Sequence, residues 1–358
     1  MDLDNPQSLK EKDTHSIADS IGQLPDQIRQ VLADSHLIKI PAGYGHVNKI
    51  VVNGMGGSNI GAYILKYVFA DRLNVSMEIC PGYEAPAYAD EKTLYILSSY
   101  SGNTEEVLSI YDEIKGRGAK ILGITAGGED KGKLERLMIE DDIPGFIFAP
   151  ENNISGQPRM GLGYSVFGML FLLEKSGLIE VDKTEIQDVI HYLEERSKEL
   201  NIEAGKEKNE AKLIAEELSG KQTVLVGAEF LTGNLHAFRN QLCENSKNFS
   251  CYFTLPDLNH FLLESLANPE SNKDQLAFLF FDSDLYHERT RKRSGITAET
   301  VKKNGIRVVN YKMKAKNKLQ QSAELLQLGS WISFYLGMKN EVDPGDIPWV
   351  DWFKQQLK

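Results

Sequence analysis

Cysteine is scarce in this chain: Cys80, Cys243 and Cys251 are the only ones among 358 residues. An odd number of thiols without knuckle spacing makes neither a complete disulfide framework nor a zinc site, so free thiols are expected. Positive charge is also in deficit, with 40 Lys and Arg against 51 Asp and Glu and a net charge of −11. That balance disfavours nucleic acid or an anionic membrane as a main partner and confines any anion site to a local feature. No apolar run approaches the roughly 20 residues that span a bilayer. The opening MDLDNPQSLKEKD has no apolar core of signal-peptide length. A cytoplasmic location without a membrane span is the expectation. Histidines and carboxylates show no metal-ligand spacing, so no metal is expected either.

What is present is an apolar share of 41% with 25% charged residues, enough for two cores of ordinary size. Short apolar runs alternate with helical patterns: KIVVNGMGGS, NIGAYILKYVFA, VSMEIC, TLYILSS, TEEVLSIYDEIKGRG, KILGIT and GFIFAP. The alternation predicts an α/β fold, a parallel β-sheet flanked by helices. A second series follows with QTVLVGAEF, CYFTLP, DQLAFLFFDSD and RVVNYK, separated by further helical patterns. The expected organisation is an N-terminal helical arm over 1–44 with a helix near Ile17 to Leu32, a first domain over 45–182, a charged helical bridge over 183–218, and a second domain over 219–358 ending in a helix.

Two loops carry most of the polar surplus. The first, GMGGSNIG, follows a strand and opens a helix, but Asn59 breaks the dinucleotide spacing and the lysine of a P-loop is missing. What remains is a glycine turn, Gly56 and Gly57 before Ser58, whose bare N–H groups at a helix start suit close approach to an anion or simply a tight turn. The second, SYSGNT, crowds Ser99, Ser101 and Thr104 around a glycine at another strand-to-helix junction. Asn103 with Glu106 three residues on reads as a capping box. Capping leaves the hydroxyls unexplained, whereas a phosphate monoester, with about two charges and several acceptor oxygens, would use them. Glu105 and Glu106 would then have to face away.

GMGGS followed by SYSGNT resembles the sugar isomerase (SIS) family, whose paired domains bind phosphosugars through an S-x-S-G-x-T loop. GQPRMGLGY, FRNQLCENSK and LPDLNH further resemble the bifunctional phosphoglucose/phosphomannose isomerases, within the phosphoglucose isomerase superfamily. The resemblance runs from about Lys49 to the C-terminus. It implies aldose-ketose isomerisation of glucose 6-phosphate, with mannose 6-phosphate a further substrate, and fructose 6-phosphate, through an enediolate and without metal or organic cofactor. It implies a phosphate held by Gly56, Gly57, Ser58, Ser99, Ser101 and Thr104, and a homodimer with shared active sites.

For catalysis the resemblance implies Glu244 as base, His260 for ring opening, Arg159 for enediolate charge and Lys354 as an active-site lysine. From the residues alone, Glu244 lies off the apolar stripe Leu231, Leu235, Phe238, Leu242, which favours a solvated glutamate paired with Lys247; the resemblance reverses that preference. Arg159 at a helix entry could equally hold a carboxylate, and Lys354 could belong to a solvated tail. After Asn259-His260 the chain continues Phe261-Leu262-Leu263-Glu264, where the family tends to polar residues. That departure bears on sugar specificity. Another phosphosugar isomerase and a non-catalytic phosphosugar sensor are the alternative readings.

Overall fold

Runs such as Lys49–Gly54 and Thr93–Ser98 are apolar almost continuously, as a parallel strand covered on both faces requires. In the computed structural model, which describes residues 1–128 and 131–357, they are β1 (Lys49–Gly54) and β3 (Thr93–Ser98) of a five-stranded sheet. With β2 (Ser76–Ile79), β4 (Lys120–Ala126) and β5 (Gly145–Phe148) the order is β2-β1-β3-β4-β5, all parallel. The second sheet contains β6 (Gln222–Ala228), β7 (Ser250–Leu255), β8 (Leu276–Asp282) and β9 (Arg307–Lys312), again parallel, in the order β7-β6-β8-β9. In each, the first strand lies between the second and the third. The expected α/β fold with two parallel sheets is what forms.

Packing divides the chain into a first-sheet unit, Gln23–Tyr192, and a second-sheet unit, Met1–Gly22 together with the chain from Leu193. The stretch expected as an arm is therefore shared between them. Gln27 fastens the helix Leu24–Asp34 within the first-sheet unit, donating to the carbonyls of Asn152 (2.9 Å) and Met160 (3.0 Å) and accepting from Gly163 N–H (2.9 Å). In the second-sheet unit Lys206 N–H donates to Asp4 at 2.8 Å. The stretch expected as a bridge forms the helices Lys183–Leu200 and Glu210–Leu218. Its later part is tied to the helix Lys318–Lys339 by Gln327, which donates to Leu193 O at 3.0 Å, and by Tyr335, which donates to Leu200 O at 2.7 Å.

Two helices expected as single pieces are broken. Ile17–Gly22 and Leu24–Asp34 meet at Gln23, with Pro25 in the first turn of the second helix, where a missing N–H is harmless. The helix after β3 divides into Glu105–Ser109 and Tyr111–Gly116.

Candidate functional site

In β1 and β3, Gly54 stands opposite Ser98, so the glycine turn after β1 and the hydroxyl turn after β3 leave the sheet side by side. The carboxyl ends of strands where the chain changes direction form the crevice in which open parallel sheets bind ligands. Gly56 opens the helix Gly57–Val68 at φ +51°, a region that residues with a Cβ rarely adopt. A Cβ on Gly57 would stand 3.2 Å from Arg159 Cα, so the smallness of Gly57 admits the Pro158–Met160 turn. Gly56 is exposed and Gly57 half-buried, which leaves backbone of this first turn reachable.

The six loop residues do different work. Ser58 is buried; its hydroxyl accepts from Tyr100 N–H at 2.9 Å and its carbonyl accepts from Ser98 Oγ at 2.6 Å, locking the two turns together. Ser99 has no exposed surface (0%), and its hydroxyl lies 2.7 Å from that of Thr104. Thr104 is half-buried and Ser101 exposed, so these are the hydroxyls a ligand can reach.

The capping box expected at Asn103 does not form. Thr104 is the N-cap residue of Glu105–Ser109, and Asn103 Oδ1 instead accepts from Lys133 N–H at 3.3 Å, at the start of the helix Lys133–Glu140. The reason is contact between backbones: Gly102, at φ +67°, lies so close to Gly132 that a Cβ would be 2.9 Å from its Cα, and Leu134 N–H bonds Gly102 O at 2.9 Å. Glu105 is exposed and accepts from Tyr83 OH at 3.4 Å.

Arg159 is 9% exposed and donates to Gln157 Oε1 at 2.9 Å, a largely buried cation whose backbone abuts the glycine turn. Sequence reasoning missed Tyr100 and Asn153. The Tyr100 ring packs where a Cβ on Gly161 would meet it at 2.2 Å, and Asn153 Nδ2 donates to its hydroxyl at 2.8 Å. Burial pushes the Tyr100 phenol up to about 12, so it stays neutral at physiological pH. Tyr100 lies inside the quoted SYSGNT; Asn153, in an aperiodic loop, carries no sequence signal.

In the second-sheet unit, the helix Thr232–Asn245 buries Leu235, Phe238 and Leu242 as expected. Its second buried face is polar and meets Lys318–Lys339: Asn234 Nδ2 donates to Ser322 O (2.8 Å), Gln241 Nε2 to Ser330 Oγ (2.7 Å) and Asn245 Nδ2 to Ser333 Oγ (3.0 Å). Glu244, half-buried, belongs to neither face. Asn240 lies one turn before Glu244 on the same side; its Oδ1 accepts from Arg239 Nε at 3.0 Å. His236, two turns before, is lowered to about 4 by burial and by the Arg239 charge, and is neutral. Lys247 Nζ donates to Asp343 O at 2.5 Å.

His260 ends the short turn Asp257–His260 after β7 and is exposed. Lys354 is exposed on the helix Pro348–Gln356, which buries no residue and leaves Trp349 79%, Trp352 54% and Phe353 56% exposed. The structure thus brings Gly56, Gly57, Ser58, Ser99, Ser101, Thr104 and Arg159 together in the first-sheet unit, while Glu244, His260 and Lys354 belong to the second-sheet unit. Linear spacing could not reveal His15, Asp343 and Asp346, whose ligand-type atoms come within 4.8 Å of one another. Each imidazole nitrogen there faces a different carboxylate, Nδ1 at 3.3 Å from Asp343 and Nε2 at 3.7 Å from Asp346.

A model of the SIS domain matches residues 45–135, and a model of the bacterial phospho-glucose isomerase C-terminal SIS domain matches residues 207–357. The bifunctional phosphoglucose/phosphomannose isomerase of Caldicellulosiruptor bescii is 32% identical over 340 residues, covering 95% of this chain and 98% of that one. The enzyme of the same name from Aquifex aeolicus is 30% identical over 312 residues, covering 86% and 90%. In fold, a hypothetical protein of Thermus thermophilus is similar with a TM-score of 0.74 at 16% identity, covering 98% of this chain and 92% of that one.

Proposed function

This chain belongs to the bifunctional phosphoglucose/phosphomannose isomerase family and is a phosphosugar isomerase, from which we propose that it interconverts glucose 6-phosphate, and mannose 6-phosphate, with fructose 6-phosphate. The observation that carries the reading is the pairing of the two turns across Gly54 and Ser98, with Arg159 against Gly57. The phosphate sits on the N–H groups after Gly56 and on the hydroxyls of Ser101 and Thr104, while Ser58 and Ser99 shape the cradle. His260 opens the sugar ring. Glu244 removes the C2 proton of the aldose and electrons move to O1 to give the enediolate; a proton passes from O2 to O1, and the carbon proton is delivered to C1 as the electrons of O2 form the C2 carbonyl of the ketose. Arg159 offsets the developing negative charge, and Lys354 joins the same site.

The active unit is a homodimer in which His260 of one copy completes the site that holds Glu244 of the other, and the location is cytoplasmic. Incubation with fructose 6-phosphate in heavy water tests the chemistry. Deuterium at C2 of recovered glucose 6-phosphate, lost in Glu244→Gln with binding retained, is the expected result. Binding without exchange in the parent chain would indicate a sensor, and exchange persisting in Glu244→Gln would remove the base assignment.

A further inference from the structure

His260 is exposed and, among the described residues, its ring has no hydrogen-bond or ion-pair partner. A loop histidine so placed would sample many rotamers and backbone positions, yet a proton-transfer group must hold its atom within hydrogen-bond reach of the sugar. The residues on either side supply the restraint. Asn259 Nδ2 donates to Thr297 Oγ1 at 2.7 Å, and Arg293 donates to Asn259 Oδ1 at 3.1 Å. Thr297 Oγ1 in turn donates to Arg293 O at 2.7 Å, so its proton is committed and a lone pair is left for the amide. Thr297 lies four residues after Arg293 on the helix Glu288–Lys303, on the same face. Both polar atoms of the Asn259 amide are used, and the orientation of the amide is set: oxygen to the cation, nitrogen to the hydroxyl. On the other side, Phe261 packs edge-on against Phe253 of β7, with ring centroids 5.9 Å apart. His260 is the free link between two tethered neighbours.

We propose that Asn259 is the positioning residue for His260, with Thr297 and Arg293 as its anchors. The inference rests on the ring-opening role proposed for His260, and the experiment separates the two. Exchange between the α and β anomers of glucose 6-phosphate requires ring opening and reclosure but no transfer from C2, so NMR exchange measurements in a Glu244→Gln background read His260 chemistry alone. Adding Asn259→Ala should slow catalysed anomer exchange at least about tenfold, while the Kd for glucose 6-phosphate stays within about twofold, since the phosphate loops are untouched. Thr297→Val should slow exchange in the same sense and Thr297→Ser should keep it, which guards against an Asn259→Ala chain that fails to fold. Exchange within about twofold of the background in Asn259→Ala or Thr297→Val, beside a slow His260→Ala, overturns the positioning role alone. Undiminished exchange in His260→Ala overturns the ring-opening role and the inference with it.

Discussion

Ser99 and Ser101 stand two positions apart, yet one is sealed inside the unit and the other lies at its surface. Replacing Ser101 and Thr104 with alanine should weaken fructose 6-phosphate binding by about tenfold or more, measured by titration calorimetry, because hydroxyl contacts made in both ground and transition states are lost. Unchanged affinity would dismiss the phosphate assignment. Ser99→Ala should weaken binding less, through loss of the 2.7 Å contact that orients Thr104. His236 carries a second residue-scale expectation. Its folded pKa of about 4 lies below the ordinary imidazole value of 6.5, so the unfolded chain binds the proton more readily between them. Its contribution is complete above pH 6.5 and falls away as pH drops toward 4, by on the order of 2 kcal/mol after allowing for solvent screening. Urea denaturation of the parent and of His236→Gln across that range should show the flatter acid limb in the variant. The hydroxyl-rich turn was legible because its polar residues exceed what a cap needs. The division of labour inside it was not, since burial of Ser99 depends on a partner five residues on.

At the scale of elements, strands were the most legible features, because burial on both faces writes a continuous apolar run. Caps were the least. Asn103 bonds Lys133, 30 residues away, and no local pattern encodes a partner at that distance. The polar face between Thr232–Asn245 and Lys318–Lys339 was invisible for a similar reason: Asn234, Gln241 and Asn245 resemble surface residues until a second helix meets them. Such buried amides hold the helices in one register, because sliding would leave them without partners. Ser330→Ala should lower stability by about 1–2 kcal/mol, read from the denaturation midpoint at constant slope, as Gln241 Nε2 loses its 2.7 Å acceptor. A midpoint shift below about 0.3 kcal/mol would mean that the seam does not constrain the helix pair.

For the whole molecule, the two parallel sheets were legible from the repeated alternation, whereas the packing of residues 1–44 and 183–218 was not, because it rests on side chains such as Gln27 and Gln327 rather than on composition. The proposed shared sites make a prediction at this scale. Mixing Glu244→Gln with His260→Ala under demonstrated subunit exchange should restore about a quarter of parental activity, because a mixed pair places both lesions in one site and none in the other. No recovery would sink the sharing and leave Glu244 to the heavy-water assay. The helix Pro348–Gln356 bears on how such experiments can be watched. The chain has three tryptophans: Trp331 is 2% exposed, while Trp349 and Trp352 stand out on that terminal helix. None lies in Gln23–Tyr192. Tryptophan fluorescence therefore originates in the second-sheet unit. Its emission should divide into a blue component that iodide does not reach and a red one that iodide quenches, and any partner that covers the terminal helix should remove the second without touching the first.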